Sequence, residues 1–163
     1  IIAFSAIDSG AEKVTCGDIS DYMLKLGKEK AMTLGLDSNR IKFCNLDAES
    51  LPFEDNSFDC AFGTEVLEHC PEPEVVLKEV NRVLKPGGVF FFTVPFLWNL
   101  HEVPHDEYRY TPFSLQRHLE NSGFNDVTLN ATGGWHASMA QMLGLWVRRS
   151  PMKTSYKRIL SVI

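Results

Sequence analysis

The sequence predicts an α/β fold built on a doubly wound, mainly parallel sheet with helices on both faces. Two observations carry that reading. Short β-prone runs alternate along the chain with segments of helical periodicity. The run 89–94, Val-Phe-Phe-Phe-Thr-Val, is apolar on both faces, as a central strand covered from two sides should be. With 163 residues and 44% hydrophobic content, the chain suits one domain, taken as 1–163.

The first β-prone run is 14–18, ending at Asp18. Leu24, Gly27, Ala31 and Leu34 then share one helical face that starts from a Ser20 cap and ends near Gly35. Residues 41–44 predict a second strand, 45–56 a polar loop containing a proline, and 58–62 a third strand. Glu72-Pro73-Glu74 opens a helix with proline in the first turn and acids at the positive end of the dipole; Val76, Leu77, Val80, Val83 and Leu84 form its apolar stripe. Lys85-Pro86-Gly87-Gly88 follows a helix rather than opening one, so it reads as a turn and not as a phosphate loop. After the strand 89–94 comes a loop, 95–110, rich in aromatic residues and histidine. Thr111 caps a helix with Pro112 at its first position, ending near Gly123; Val127-Thr128-Leu129 predicts a further strand; and 135–163 is helical with a break at Ser150-Pro151.

The formal charge of -5 argues against sequence-independent nucleic-acid binding, which needs a basic surface. The charge is unevenly spread: all 21 acids lie at or before Asp126, while Arg148, Arg149, Lys153, Lys157 and Arg158 follow it. Cys16, Cys44, Cys60 and Cys70 form no C-x-x-C pair and read as reduced thiols in a cytoplasmic setting. No run of eighteen apolar residues occurs, and the first residues lack the pattern of a signal peptide, so a soluble protein is expected.

Three motifs occur in order: Leu51-Pro52-Phe53-Glu54-Asp55-Asn56-Ser57-Phe58-Asp59, Glu65-Val66-Leu67-Glu68-His69, and Arg82-Val83-Leu84-Lys85-Pro86-Gly87-Gly88. On these the chain resembles the class I S-adenosylmethionine-dependent methyltransferases of the methyltransferase 11 type, over roughly 13–129, leaving 130–163 as a helical, basic segment. The resemblance implies a Rossmann-like sheet with S-adenosyl-L-methionine at the carboxyl ends of its strands. It implies methyl transfer to an oxygen or nitrogen nucleophile of a small molecule or glycan. It also implies a first strand ending in a Gly-rich turn, which nothing here matches; residues 1–10 look like the helix that follows that turn, and the sheet is expected to be incomplete at both ends. The missing turn favours an alternative, a non-catalytic methyltransferase-like binding module. An NAD-dependent oxidoreductase is a further alternative that Asp18 alone would fit, without a Gly-rich dinucleotide fingerprint or a Tyr-x-x-x-Lys dyad to support it.

Asp18, with Ile19 beside it, ends a strand where an acid can accept both ribose hydroxyls, or can serve a helix N-terminus instead. The resemblance makes Asp47-Ala48 the adenine contact and places Gly63, Thr64 and Glu65 along the methionine end of the cofactor. His69 falls near the cofactor pocket or packs at a helix end. The loop supplies His101, His105, Asp106, Tyr108 and Arg109, read as an acceptor site: His105 with Asp106, or His101, as general base, Arg109 holding an anionic substrate and tyrosine packing on it. A loop of buried, hydrogen-bonded side chains covering the sheet is the alternative. No metal site is expected, because no ligand spacing such as H-E-x-x-H is present. Trp135, Met139, Met142, Leu143 and Trp146 form a helical apolar stripe ahead of the basic residues, suited either to peripheral contact with an anionic membrane or to packing on the sheet.

Overall fold

The computed structural model describes residues 2–160. Helix α1 (Ile2–Asp8) leads to β1 (Val14–Asp18), α2 (Asp21–Thr33) and β2 (Ile41–Asn45). Then come β3 (Phe58–Thr64), a 3-10 turn (Leu67–His69), α3 (Pro73–Val83), β4 (Leu84–Thr93), α4 (Pro112–Asn121), α5 (Trp135–Arg149) and α6 (Thr154–Leu160). The α/β class and the alternation of strand and helix follow the sequence reading.

The local signals act as expected. The Ser20 hydroxyl accepts the Met23 N–H at 3.4 Å, the Thr111 hydroxyl accepts that of Ser114 at 3.2 Å, and prolines occupy the first turns of α3 and α4. Gly27 lets α2 close on β2: a Cβ there would stand 2.6 Å from the Phe43 ring. Gly35 ends that segment with φ +66°, a conformation glycine adopts without steric cost.

The sheet departs from the expectation. Among the described residues it consists of two separate parallel pairs, β1 with β2 and β3 with β4, rather than one continuous sheet. An open space of about 1110 Å³ runs between β1 and β3, lined by Val14, Thr15 and Cys16 on one side and Cys60, Ala61 and Phe62 on the other. The run 89–94 is therefore not a strand covered on both faces: Val89 and Phe91 are exposed together with Phe62, while Phe90 and Phe92 turn inward and stack at 4.7 Å. Lys85-Pro86-Gly87-Gly88 is not a free turn either. Residues 84–93 are one strand, and an irregularity in its pairing with β3 absorbs these residues, with Gly87 at φ +80°. Val127-Thr128-Leu129 is not a strand; Val127 and Leu129 pack on the core, but among the described residues no neighbouring edge pairs with them. Residues 161–163 of the predicted terminal helix lie outside the described residues.

The core lies between α3, α4 and the inner face of β3 and β4. Leu77, wholly buried, sits among Leu67, Val76, Val80, Leu84, Leu115 and Leu119. The motif at 51–59 owes its shape to Arg82. Its Nε and Nη2 donate to the two Glu79 carboxylate oxygens at 2.8 Å each, Nη1 donates to Asp55 Oδ1 at 2.7 Å and to the Phe53 carbonyl at 2.8 Å, and Nη2 also donates to the Leu51 carbonyl at 2.9 Å. The Leu51 N–H closes the ring by donating to Glu79 Oε2 at 2.9 Å. Lysine could not satisfy this fork.

The hydrogen bonds from Arg82 hold the Glu79 carboxyl below its ordinary value of 4.5. A carboxyl depressed in the folded state stabilises it fully above the ordinary value, and that contribution fades as pH falls through the folded value. Glu79→Gln is therefore expected to lower stability at neutral pH, with the gap to wild type closing under acid conditions, as denaturant melts across pH 2 to about 7 will measure. A gap independent of pH would show that Glu79 acts through packing alone.

Candidate active site

The C-terminal ends of the strands carry the predicted acids. Asp18 closes β1 half-buried, and its Oδ1 accepts the Ser20 N–H at 2.8 Å, so it serves the α2 N-terminus with one oxygen and keeps Oδ2 without a protein donor among the described residues. Ile19 beside it is 73% exposed. Asp47, just beyond β2, is exposed; its Oδ1 accepts the Glu49 N–H at 2.9 Å, and Ala48 packs half-buried against the core. The two acids are neighbours through the β1–β2 register, which pairs Asp18 with Asn45, and through the Leu46 N–H bonded to the Asp18 carbonyl at 3.2 Å.

Across the open space, Gly63 and Thr64 end β3, and Glu65 latches onto β4: its N–H donates to the Thr93 carbonyl at 3.0 Å and its Oε1 accepts the Thr93 hydroxyl at 2.7 Å. Glu65 does so in the left-handed region, at φ +52°, a strained conformation for a residue with a Cβ. Asp18, Asp47 and Glu65 thus each present, at the same end of the strands, one carboxylate oxygen without a donor among the described residues. Such acceptors suit the hydroxyl and amino groups of a nucleoside. The large space between β1 and β3 runs along the strands and reaches these ends, where Gly17, Leu46 and Thr64 line it.

The loop after β4 is organised by Asp106, whose side chain is 1% exposed. Arg109 Nη1 donates to Asp106 Oδ1 at 2.6 Å and Nη2 to Oδ2 at 2.8 Å, and the His101 N–H reaches Oδ2 at 2.8 Å. These donors, Arg109 first, hold the Asp106 carboxyl well below its ordinary value. It is an anchor rather than a proton acceptor. His101 Nδ1 lies 3.1 Å from Asp106 Oδ2 and 3.3 Å from Arg109 Nη2. The anion is nearer and the guanidinium already has partners, which favours the tautomer with the proton on Nδ1 and leaves Nε2 bare.

Arg109, read from sequence as an anion holder, spends both Nη groups on Asp106, the Tyr108 carbonyl at 2.7 Å and the Asn99 carbonyl at 3.3 Å. Tyr108 donates to the Pro71 carbonyl at 3.0 Å and stacks on Tyr110 at 5.7 Å. His105 is exposed, and its ring makes no hydrogen bond within the described residues. Glu68 gained importance only in three dimensions, beside His69, which the sequence places near the cofactor pocket or at a helix end. Glu68 is wholly buried, both its oxygens lack a hydrogen-bond partner, and burial pushes its carboxyl above the ordinary value. His69 touches it, at 3.7 Å from Nε2 to Oε1.

Comparison with known proteins decides the family. Residues 2–92 match the family described as "Methyltransferase domain". The chain belongs to that family. Among curated relatives of this chain, "Ubiquinone/menaquinone biosynthesis C-methyltransferase UbiE" from Citrobacter koseri is 33% identical over 162 residues, covering 80% of the chain. The chain spans 64% of that relative's length. Among solved structures, the [4+2]-cyclase SpnF is 29% identical with a TM-score of 0.65, covering 74% of this chain and 45% of that one. Phosphoethanolamine N-methyltransferase 2 from Haemonchus contortus, in complex with S-adenosyl-L-methionine, reaches a TM-score of 0.72 at 19% identity over 98% of this chain and 40% of that one, a likeness of fold alone. These neighbours share the Rossmann-like methyltransferase fold.

No helix among the described residues is long and apolar enough to cross a membrane. The stripe on α5 does not pack on the sheet: Trp135 is 70% exposed and Trp146 57%, with Met139, Met142 and Leu143 exposed between them. The four cysteines are unpaired, and burial pushes the Cys70 thiol up to about 11.

Proposed function

We propose that the protein transfers a methyl group from S-adenosyl-L-methionine to a small-molecule acceptor. The observation that carries this is the row of half-free carboxylates at the strand ends of a chain whose family is that of methyltransferase domains. In this reading Asp18 accepts the ribose hydroxyls, Ile19 covers the nucleoside, Asp47 and Ala48 meet the adenine, and Gly63, Thr64 and Glu65 line the methionine end. The cofactor supplies the electrophilic methyl; the chain aligns donor and acceptor and holds the accepting base.

His105 is the proton acceptor in this scheme, because its exposed ring is free of protein partners, whereas His101, Asp106, Tyr108 and Arg109 form the frame that shapes the acceptor site. Oxygen and nitrogen nucleophiles were the sequence expectation, with a small molecule or glycan as acceptor. The relative at 33% identity is named a C-methyltransferase, which adds a carbon nucleophile to the panel to be tested. The cyclase among the structural neighbours marks the limit of arguing from fold to reaction.

The face of α5 supports a second property, contact with an anionic membrane. Its exposed tryptophans and methionines lead into Arg148, Arg149, Lys153 and Lys157, a chain segment without acids. A helix of this composition lies in the headgroup region, and each basic residue adds about 1 kcal/mol near an anionic surface.

Three outcomes are expected. Asp18→Ala weakens S-adenosylhomocysteine binding by roughly 1–3 kcal/mol in calorimetric titration, the cost of unpaired hydroxyls, and unchanged affinity in a folded variant removes Asp18 from the site. His105→Gln lowers turnover by about 10²–10⁴-fold on whichever acceptor in the panel is methylated, with cofactor affinity intact; turnover retained per folded molecule excludes it as the base. Co-sedimentation with anionic vesicles occurs at low salt, is lost at high salt, and fails with neutral vesicles. Equal behaviour toward both lipid types removes the membrane reading.

A further inference from the structure

We propose that Glu68, His69 and His101 form a three-ligand site for a divalent first-row transition-metal ion. Glu68 and His69 stand on the 3-10 turn after β3, and His101 comes from the loop after β4, so the site joins the ends of two paired strands. One ligand atom from each of the three lies within 4.8 Å of the others. The two imidazole rings meet edge to face, with centroids 5.0 Å apart.

The buried carboxylate points to a cation. The Glu68 side chain is 0% exposed, and among the described residues neither of its oxygens has a hydrogen-bond partner. An acid in that position is unfavourable unless something positive or donating meets it. Arg109 is near enough to feel the Glu68 charge but gives it no hydrogen bond: its Nη groups are taken by Asp106 and by the Tyr108 and Asn99 carbonyls, and its buried Nε meets no acceptor among the described residues. The charges around the cluster, Glu65, Glu68, Glu102 and Asp106 against Arg109, leave it net negative.

The histidines are set up as ligands. His69 Nδ1 meets the His105 carbonyl at 2.7 Å, a contact that requires the proton on Nδ1, so that the neutral ring turns the lone pair of Nε2 toward Glu68. His101 Nδ1 is held by Asp106 in the same manner. An imidazole fixed through one nitrogen by a carbonyl or carboxylate, with the other nitrogen free, is the usual outer-shell arrangement of a metal-binding histidine. Ligand atoms bound at roughly 2.0–2.2 Å to one ion stand a little over 3 Å apart, so binding draws the three together by at most about 1.5 Å. Two nitrogens and one carboxylate oxygen suit Zn²⁺, Co²⁺ or Fe²⁺ over Mg²⁺ or Ca²⁺, and three protein ligands leave a position for water or an oxygen-bearing acceptor. Glu102, 3.9 Å from His69 Nε2 and mostly exposed, stands beside that position.

The test is independent of methyl transfer. The full chain, stripped with chelator, is titrated with Co²⁺ while visible absorption is followed, and with Zn²⁺ and Mg²⁺ while the melting temperature is followed. One equivalent of Co²⁺ giving nitrogen-ligated d–d bands, and a melting temperature raised by Zn²⁺ but not by Mg²⁺, are expected. Glu68→Gln, His69→Gln and His101→Gln are each expected to weaken Co²⁺ binding by more than about tenfold. His136→Gln, on exposed helix α5, leaves it unchanged. If Glu68→Gln does not fold, the two histidine variants, whose side chains are partly exposed, carry the comparison. Wild-type Co²⁺ affinity in the histidine variants, or no stabilisation of the wild type by Zn²⁺, overturns the site.

Discussion

Arg82 sits in the last turn of α3, and its guanidinium is the point through which helix, loop and strand ends are fixed to one another. It grips Glu79 one turn back on its own helix, reaches Asp55 and the Phe53 and Leu51 carbonyls in the loop, and its own carbonyl accepts the Asn56 N–H at 3.0 Å. The next bond, from the Ser57 N–H to the Val83 carbonyl at 2.8 Å, delivers the chain into β3. The register of β3 on β4 therefore follows from how α3 ends. Because Glu65, Glu68 and His69 come directly after β3, their positions inherit that register.

A second polar centre does for the loop what Arg82 does for the strands. Asp106 is nearly inaccessible yet ionised, and it gathers a guanidinium, a backbone amide and an imidazole on two oxygens. Removing one partner of such a centre leaves a buried charge uncompensated, which is why these networks fix one geometry even where their net contribution to stability is small. The Glu68 carbonyl, meanwhile, accepts the Glu107 and Tyr108 N–H groups at 2.9 and 3.1 Å, so the loop is also stitched to the turn that carries Glu68. Histidines 69 and 101 face each other because both ends are held.

The two halves of the site stand on different strand pairs. Asp18 and Asp47 belong to β1 and β2, Glu65 and the histidine cluster to β3 and β4, and no strand pairing joins the two pairs among the described residues. The nucleoside acceptors are thus fixed relative to one another by one ladder, and the proposed acceptor and metal groups by the other. Val89, Phe91 and Phe62 remain exposed on the outer face of the second pair.

The local elements and the family were legible in the order of residues along the chain. Caps such as Ser20 and Thr111, the prolines at 73 and 112 and the stripe of α3 are short-range signals, and the three motifs name the fold through residues that make local turns and one clamp. The acids at the strand ends were legible there too, since a strand followed by a helix places its last residue at the ligand edge. Pairing across distance was not legible there and came from the folded arrangement. Val127-Thr128-Leu129 has strand composition but no edge to join, and the apolar run before Pro95 has one uncovered face, because both outcomes depend on neighbours far away in the chain. Arg109 looked like an anion holder by type and is committed to Asp106 by geometry. The Glu68, His69 and His101 cluster has no sequence spacing to betray it: a residue pair and a histidine over thirty positions away converge because β3 and β4 are neighbours in parallel, which puts both of their exits on one side.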